Sequence, residues 1–61
     1  MNLEQCIAQA RQLSNGSTIK WCVIKRADGR HTLKIIGGTL NGHRLGIDYQ
    51  PTEIVWTPLL P

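Results

Sequence analysis

Residues 18–36 read Thr18-Ile19-Lys20-Trp21-Cys22-Val23-Ile24-Lys25-Arg26-Ala27-Asp28-Gly29-Arg30-His31-Thr32-Leu33-Lys34-Ile35-Ile36. β-Formers flank a turn signal, Ala27-Asp28-Gly29, so the stretch reads as a β-hairpin. Its register decides the fold, because a slip of one residue exchanges the two faces. A two-residue loop at Asp28-Gly29 would be a type I′ turn. It would place Cys22, Ile24, Leu33 and Ile35 on one face, and mix Trp21, Val23, Lys25, Lys34 and Ile36 on the other. A three-residue loop, Ala27-Asp28-Gly29, is a type I turn ending in a left-handed glycine with a bulge. It gathers Ile19, Trp21, Val23, Leu33 and Ile35 on one face, and Lys20, Cys22, Ile24, Arg26, Arg30, Thr32, Lys34 and Ile36 on the other. The second register is the expected one. Burying Trp21 instead of Cys22 removes more apolar surface from water.

Charge is concentrated in and beside this hairpin. Of the chain's 7 Lys and Arg residues, Lys20, Lys25, Arg26, Arg30, Lys34 and Arg44 all fall between positions 20 and 44, opposed there only by Asp28. The formal net charge is +3. The expected hairpin register would display Lys20, Arg26, Arg30 and Lys34 together on an exposed face, with Lys25 and Arg44 at its rim.

Upstream, Asn2 to Leu13 reads as an amphipathic helix. Leu3, Cys6, Ile7, Ala10 and Leu13 recur at helical spacing, while Glu4, Gln5, Gln9 and Gln12 are polar. Asn2 is an N-cap candidate, and Asn15-Gly16 supplies a stop. Downstream, Gly37-Gly38 predicts a bulge or bend. Asn41-Gly42 predicts a tight hairpin joining strands around Thr39-Leu40 and His43-Arg44. Leu45, Ile47 and Tyr49 alternate on the expected third strand, with Ile47 set against Ile35 once a bulge at Gly37-Gly38 corrects the register. After Pro51, Glu53 to Thr57 predicts a short fourth strand, with Ile54 and Trp56 on one face and Val55 on the other. The fold class is α+β: one N-terminal helix on a bent antiparallel sheet of three to four strands, an α-β-β-β-β meander. The whole chain, 1–61, is expected to form a single small domain.

Size bounds function. A chain of 61 residues buries only about 60% of its unfolded surface and has little material for a deep catalytic pocket. Ser14, Ser17, His31, His43, Asp28, Asp48 and Glu53 show no nucleophile–base pattern, so no catalytic residues are assigned and no enzyme is expected. Gly37-Gly38 lacks the Lys-Ser/Thr and helix start of a phosphate loop. Cys6, Cys22, His31 and His43 lack zinc-ligand spacing, so neither a metal nor another cofactor is expected. With two cysteines, no membrane-length apolar run and no secretory leader pattern, the expectation is a cytoplasmic protein with reduced thiols and no membrane association.

Ile35-Ile36-Gly37-Gly38-Thr39-Leu40-Asn41-Gly42-His43-Arg44-Leu45, then Pro51 and Ile54-Val55-Trp56-Thr57-Pro58, resembles a pattern in small phage and prophage proteins. Those carry Gly-Gly, two residues, Asp or Asn, Gly, then a strand and a late proline. Where Thr39 stands here they commonly have proline. The resemblance implies a phage-type accessory protein and no catalytic residues.

Two candidate surfaces follow. Lys20, Arg26, Arg30, Lys34 and Arg44 form a candidate contact for nucleic acid or an acidic partner. Tyr49, Trp56, Leu59 and Leu60 form a candidate protein interface, since Trp and Tyr often anchor such interfaces. The chain has no Phe and few aromatics to stack bases, which favours a protein partner over nucleic acid. The expected function is therefore a non-enzymatic interaction protein, such as a phage-type inhibitor or adaptor that binds a host protein. The alternative is a basic nucleic-acid-binding domain using the exposed face of hairpin 18–36. A homo-oligomer paired through the fourth, edge strand is a further expectation.

Overall fold

Asn2 starts the helix as expected: its side chain accepts a hydrogen bond from the Gln5 N–H at 2.8 Å, and the Gln5 side chain accepts from the Asn2 N–H. Helix α1 then runs Leu3–Ser14 and ends at Asn15, with Gly16 in the left-handed region. The computed structural model describes residues 2–58. Four strands follow: β1 (Ile19–Lys25), β2 (His31–Leu40), β3 (His43–Arg44) and β4 (Ile54–Trp56). They form one antiparallel sheet in the order β3-β2-β1-β4, with α1 packed on one face. The fold class is the one the sequence predicts. β1 to β3 make the expected meander, and the chain then crosses beneath the sheet so that β4 pairs with β1.

The hairpin takes the three-residue loop. Arg26 N–H donates to the Arg30 carbonyl at 2.7 Å, and Gly29, at φ +85°, donates to Arg26. Trp21 pairs with Ile35, Val23 with Leu33 and Cys22 with Lys34. Beyond Trp21 the ladder shifts: Lys20 pairs with Gly37 and Ile19 with Gly38. Ile36 is thus the extra residue, so the bulge lies in the β1–β2 ladder and not between β2 and β3. Gly38 explains why: its backbone sits at φ +122° hard against Thr18 and Ile19, an approach that a side chain would prevent.

Both faces of the sheet are covered. On the helix face, Cys6, Ala10 and Val23 are buried, with Ile7, Trp21, Leu33 and Trp56 packed around them. The helix seats through small residues: Cys6, Ala10 and Ser14 are its buried positions, whereas Leu3 (37%) and Leu13 (43%) remain exposed. Cys6, Ala10 and Ser14, at i, i+4 and i+8, form the stripe that seats on the sheet; Leu3 lies at the first turn, at the helix end, and Leu13 to one side of the stripe. On the opposite face Cys22, Ile24 and Tyr49 are buried, with Ile36 and Ile54 beside them.

The crossing segment supplies this second layer and corrects the expected third strand. β3 stops at Arg44; Leu45 still donates to the Gly38 carbonyl at 3.1 Å, but Ile47 makes no pair with Ile35 and stays 53% exposed. Tyr49 passes under the sheet, and a 3₁₀ turn at Pro51–Glu53, fixed by proline at its start, aims the chain into β4. β4 is shorter than expected and bulged. Val23 pairs with Trp56 and Ile24 with Ile54, which leaves Val55 as the extra, exposed residue. The bulge sends Ile54 and Trp56 to opposite faces, correcting the expectation that they share one.

Candidate binding cleft

The structure disperses the cations that the sequence places on one face. Lys20 lies next to the ladder shift and turns toward the end of α1, where its Nζ donates to the Ser14 carbonyl at 2.8 Å. Lys34 sits beside buried Cys22 and Ile24, and its Nζ bonds Asp48 at 3.1 Å with its side chain only 29% exposed. Arg26 and Arg30 are exposed at the hairpin tip with Lys25, and Arg30 has a loose contact of 3.9 Å to Asp28. Arg44 is exposed in the other hairpin. The expected exposed face carrying Lys20, Arg26, Arg30 and Lys34 is therefore absent, because Tyr49 and the crossing segment cover that side of the sheet.

Of the predicted protein-interface residues, Tyr49 is buried and unavailable to a partner. Its hydroxyl accepts from the Cys22 thiol at 3.5 Å. Burial first, then the contact with Cys22, pushes its pKa well above the ordinary value of 10.0. Leu59 and Leu60 lie outside the described residues. Trp56 is half-buried and lines a recess of the surface.

That recess, about 760 Å³, lies between the second half of α1 and the end of β4. Arg11, Lys20 and Trp56 define its chemistry, with Ala8 and Pro58 as apolar wall and Gln12 at the rim. The Arg11 guanidinium sits over the Trp56 ring, 5.7 Å from its centroid. This cation–π contact places the cation at the recess, and its N–H groups make no hydrogen bond within the described residues. Among the described residues, no Asp or Glu lines the cleft.

The cleft is built where sheet and helix meet. β4 pairs only with Val23 and Ile24 of β1, so the main-chain groups of Trp21 lie past its end. Ser14 takes the place of a strand there: its hydroxyl accepts from Trp21 N–H at 2.8 Å and donates to Trp21 C=O at 3.4 Å. Helix and sheet edge are thereby pinned together, and Lys20 is held across the opening.

Both cysteines are free and buried, Cys6 under the helix and Cys22 on the far side of the sheet. Among the described residues, no three of His, Cys, Asp and Glu gather as metal ligands do, and no helix is long and apolar enough to cross a membrane. No protein-family model, curated protein or solved structure matches the chain.

In the sequence Trp56 and Lys20 fall to separate candidate surfaces, and Arg11 belongs to neither. A helix-terminal cation and a late-strand aromatic meet only because β4 returns to β1. A usable signal was present on the supposed outer face, where Cys22, Ile24 and Ile36 are too apolar for a face left in water.

Proposed function

We propose that the protein is a non-enzymatic interaction protein that binds another protein through the cleft between α1 and β4. The observation that carries this reading is the pairing of Arg11 with Trp56 at an open recess that Lys20 also lines and that, among the described residues, no Asp or Glu lines. Trp and Arg are the residues most often found as energetic anchors of protein interfaces. The phage-type sequence pattern adds inhibitor or adaptor as the class of action, with a host protein as target. The nucleic-acid reading keeps only the hairpin tip, where Lys25, Arg26 and Arg30 are exposed. Too few cations cluster there to follow a phosphate backbone.

A photo-crosslinking side chain at Gln12, at the cleft rim, tests this against the same group at Asp28, at the hairpin tip. Expressed in cells that make the protein, the Gln12 probe is expected to capture one discrete protein and the Asp28 probe none. Capture of nucleic acid, or of a protein only from Asp28, would reject the cleft as the binding surface.

A further inference from the structure

We infer that the occupant of the cleft is a short acidic segment of the partner, with carboxylates flanking one apolar side chain. The inference rests on the protein-binding reading above and names the chemistry that the site selects.

Charge comes first. Arg11 and Lys20 line the cleft, no Asp or Glu does, and Arg11 has no ion-pair partner among the described residues. An Arg in cation–π contact with an aromatic ring can still give its N–H donors to a carboxylate. Shape comes second. The half-buried Trp56, with Ala8 and Pro58, offers an apolar floor, and about 760 Å³ holds one large side chain with flanking backbone.

The helix end separates a peptide from a polyphosphate. Asn15 N–H bonds the Arg11 carbonyl and Ser17 N–H bonds the Ser14 carbonyl. Among the described residues, nothing donates to the carbonyls of Gln12, which lines the cleft, and of Leu13, the next residue at the same helix end. Such carbonyls call for N–H donors, which a peptide backbone carries and a phosphodiester lacks. They also form the negative end of the helix dipole, which repels a bare anion. Lys20, 2.8 Å from the Ser14 carbonyl, offsets that repulsion locally. A ligand combining carboxylates with backbone N–H groups satisfies both halves of the site.

The test is display of random peptides on the full chain, run in parallel on Arg11→Glu and Gln12→Arg. Both positions are exposed on the helix, and each variant's fold is verified by its melting curve. The expected result is enrichment of sequences with Asp or Glu on either side of Leu, Phe or Trp. A synthetic copy should bind about tenfold or more weakly to Arg11→Glu, and more tightly to Gln12→Arg, which adds a cation at the rim. Enrichment of neutral or basic peptides, indifference to Arg11→Glu, no enrichment at all, or tighter binding of single-stranded oligothymidylate in the cleft would each overturn the inference. If Gln12 still crosslinks a protein in cells, only the acidic chemistry fails; if it crosslinks none, the binding reading fails with it.

Discussion

The Ser14 hydroxyl serves both main-chain groups of Trp21, accepting from its N–H at 2.8 Å and donating to its carbonyl at 3.4 Å. One side chain thus completes a sheet edge that β4 leaves open and fixes where the helix ends against the sheet. Ser14→Ala removes both contacts and strands a part-buried N–H. The expected loss is about 1–3 kcal/mol of unfolding free energy. Urea unfolding of the two proteins measures it; an unchanged midpoint would show that water replaces the hydroxyl without cost.

The two central glycines should differ sharply. At Gly38 a Cβ would lie 2.7 Å from Ile19 Cα and closer still to the Thr18 carbonyl, on a backbone at φ +122°. Gly38→Ala should cost about 1–3 kcal/mol from the backbone conformation alone, with the clash adding to it. Gly37 has open space around it, so Gly37→Ala should be neutral or stabilising by up to about 1 kcal/mol. Thermal melts of the pair decide this, and equal losses would place the ladder shift elsewhere.

Tyr49 is the chain's only tyrosine, so its ionisation is directly visible by ultraviolet absorbance. In the fold its pKa is raised above 10.0 by burial and by the Cys22 contact. A group whose folded pKa exceeds its unfolded value supports the fold while protonated. Its contribution is complete below about pH 10 and is lost as pH climbs toward the folded value, by about 1.4 kcal/mol per pH unit. Stability measured from pH 8 upward should therefore fall beyond pH 10, and Tyr49→Phe should fall less steeply. A tyrosine that titrates at its ordinary value while the protein stays folded would contradict its burial.

Amide exchange should alternate along β2. The Arg26–Arg30 hydrogen bond that closes the hairpin sets the ladder's parity. It turns the N–H groups of Thr32 and Lys34 toward β1, and those of His31, Leu33 and Ile35 outward. β3 pairs only with Thr39 and Leu40, and the described residues offer the outward groups no hydrogen bond. Slow exchange at Thr32 and Lys34 with fast exchange at His31, Leu33 and Ile35 is expected. Protection at all five would mean that another strand covers this edge. The edge strands β3 and β4 are themselves only two and three residues long, a common defence against edge-to-edge pairing.

Local signals made much of this fold legible. Ala27-Asp28-Gly29 set the hairpin register, Asn2 and Asn15-Gly16 bounded the helix, and Asn41-Gly42 made the second turn, with Asn41 at φ 52° and Gly42 at φ 81°. The path after Arg44 was not legible. Leu45, Ile47 and Tyr49 alternate like a strand, but burying Tyr49 against Cys22 and Ile24 covers the second face of the sheet, and that tertiary gain outweighs continued pairing. The bulges at Ile36 and Val55 follow from close packing at Gly38 and from the crossing, neither of which has a one-residue signature. The cleft inherits this difficulty, because Arg11, Lys20 and Trp56 come together only through the long-range return of β4.

The most direct test of the cleft is a chemical-shift map of the isotope-labelled protein titrated with an acidic peptide enriched by display. The Trp56 indole N–H and the backbone amides of Arg11, Gln12 and Lys20 are expected to move together and saturate, while Arg26 to Arg30 at the hairpin tip stay fixed. Shifts centred on the hairpin tip, with the Trp56 indole unmoved, would contradict it.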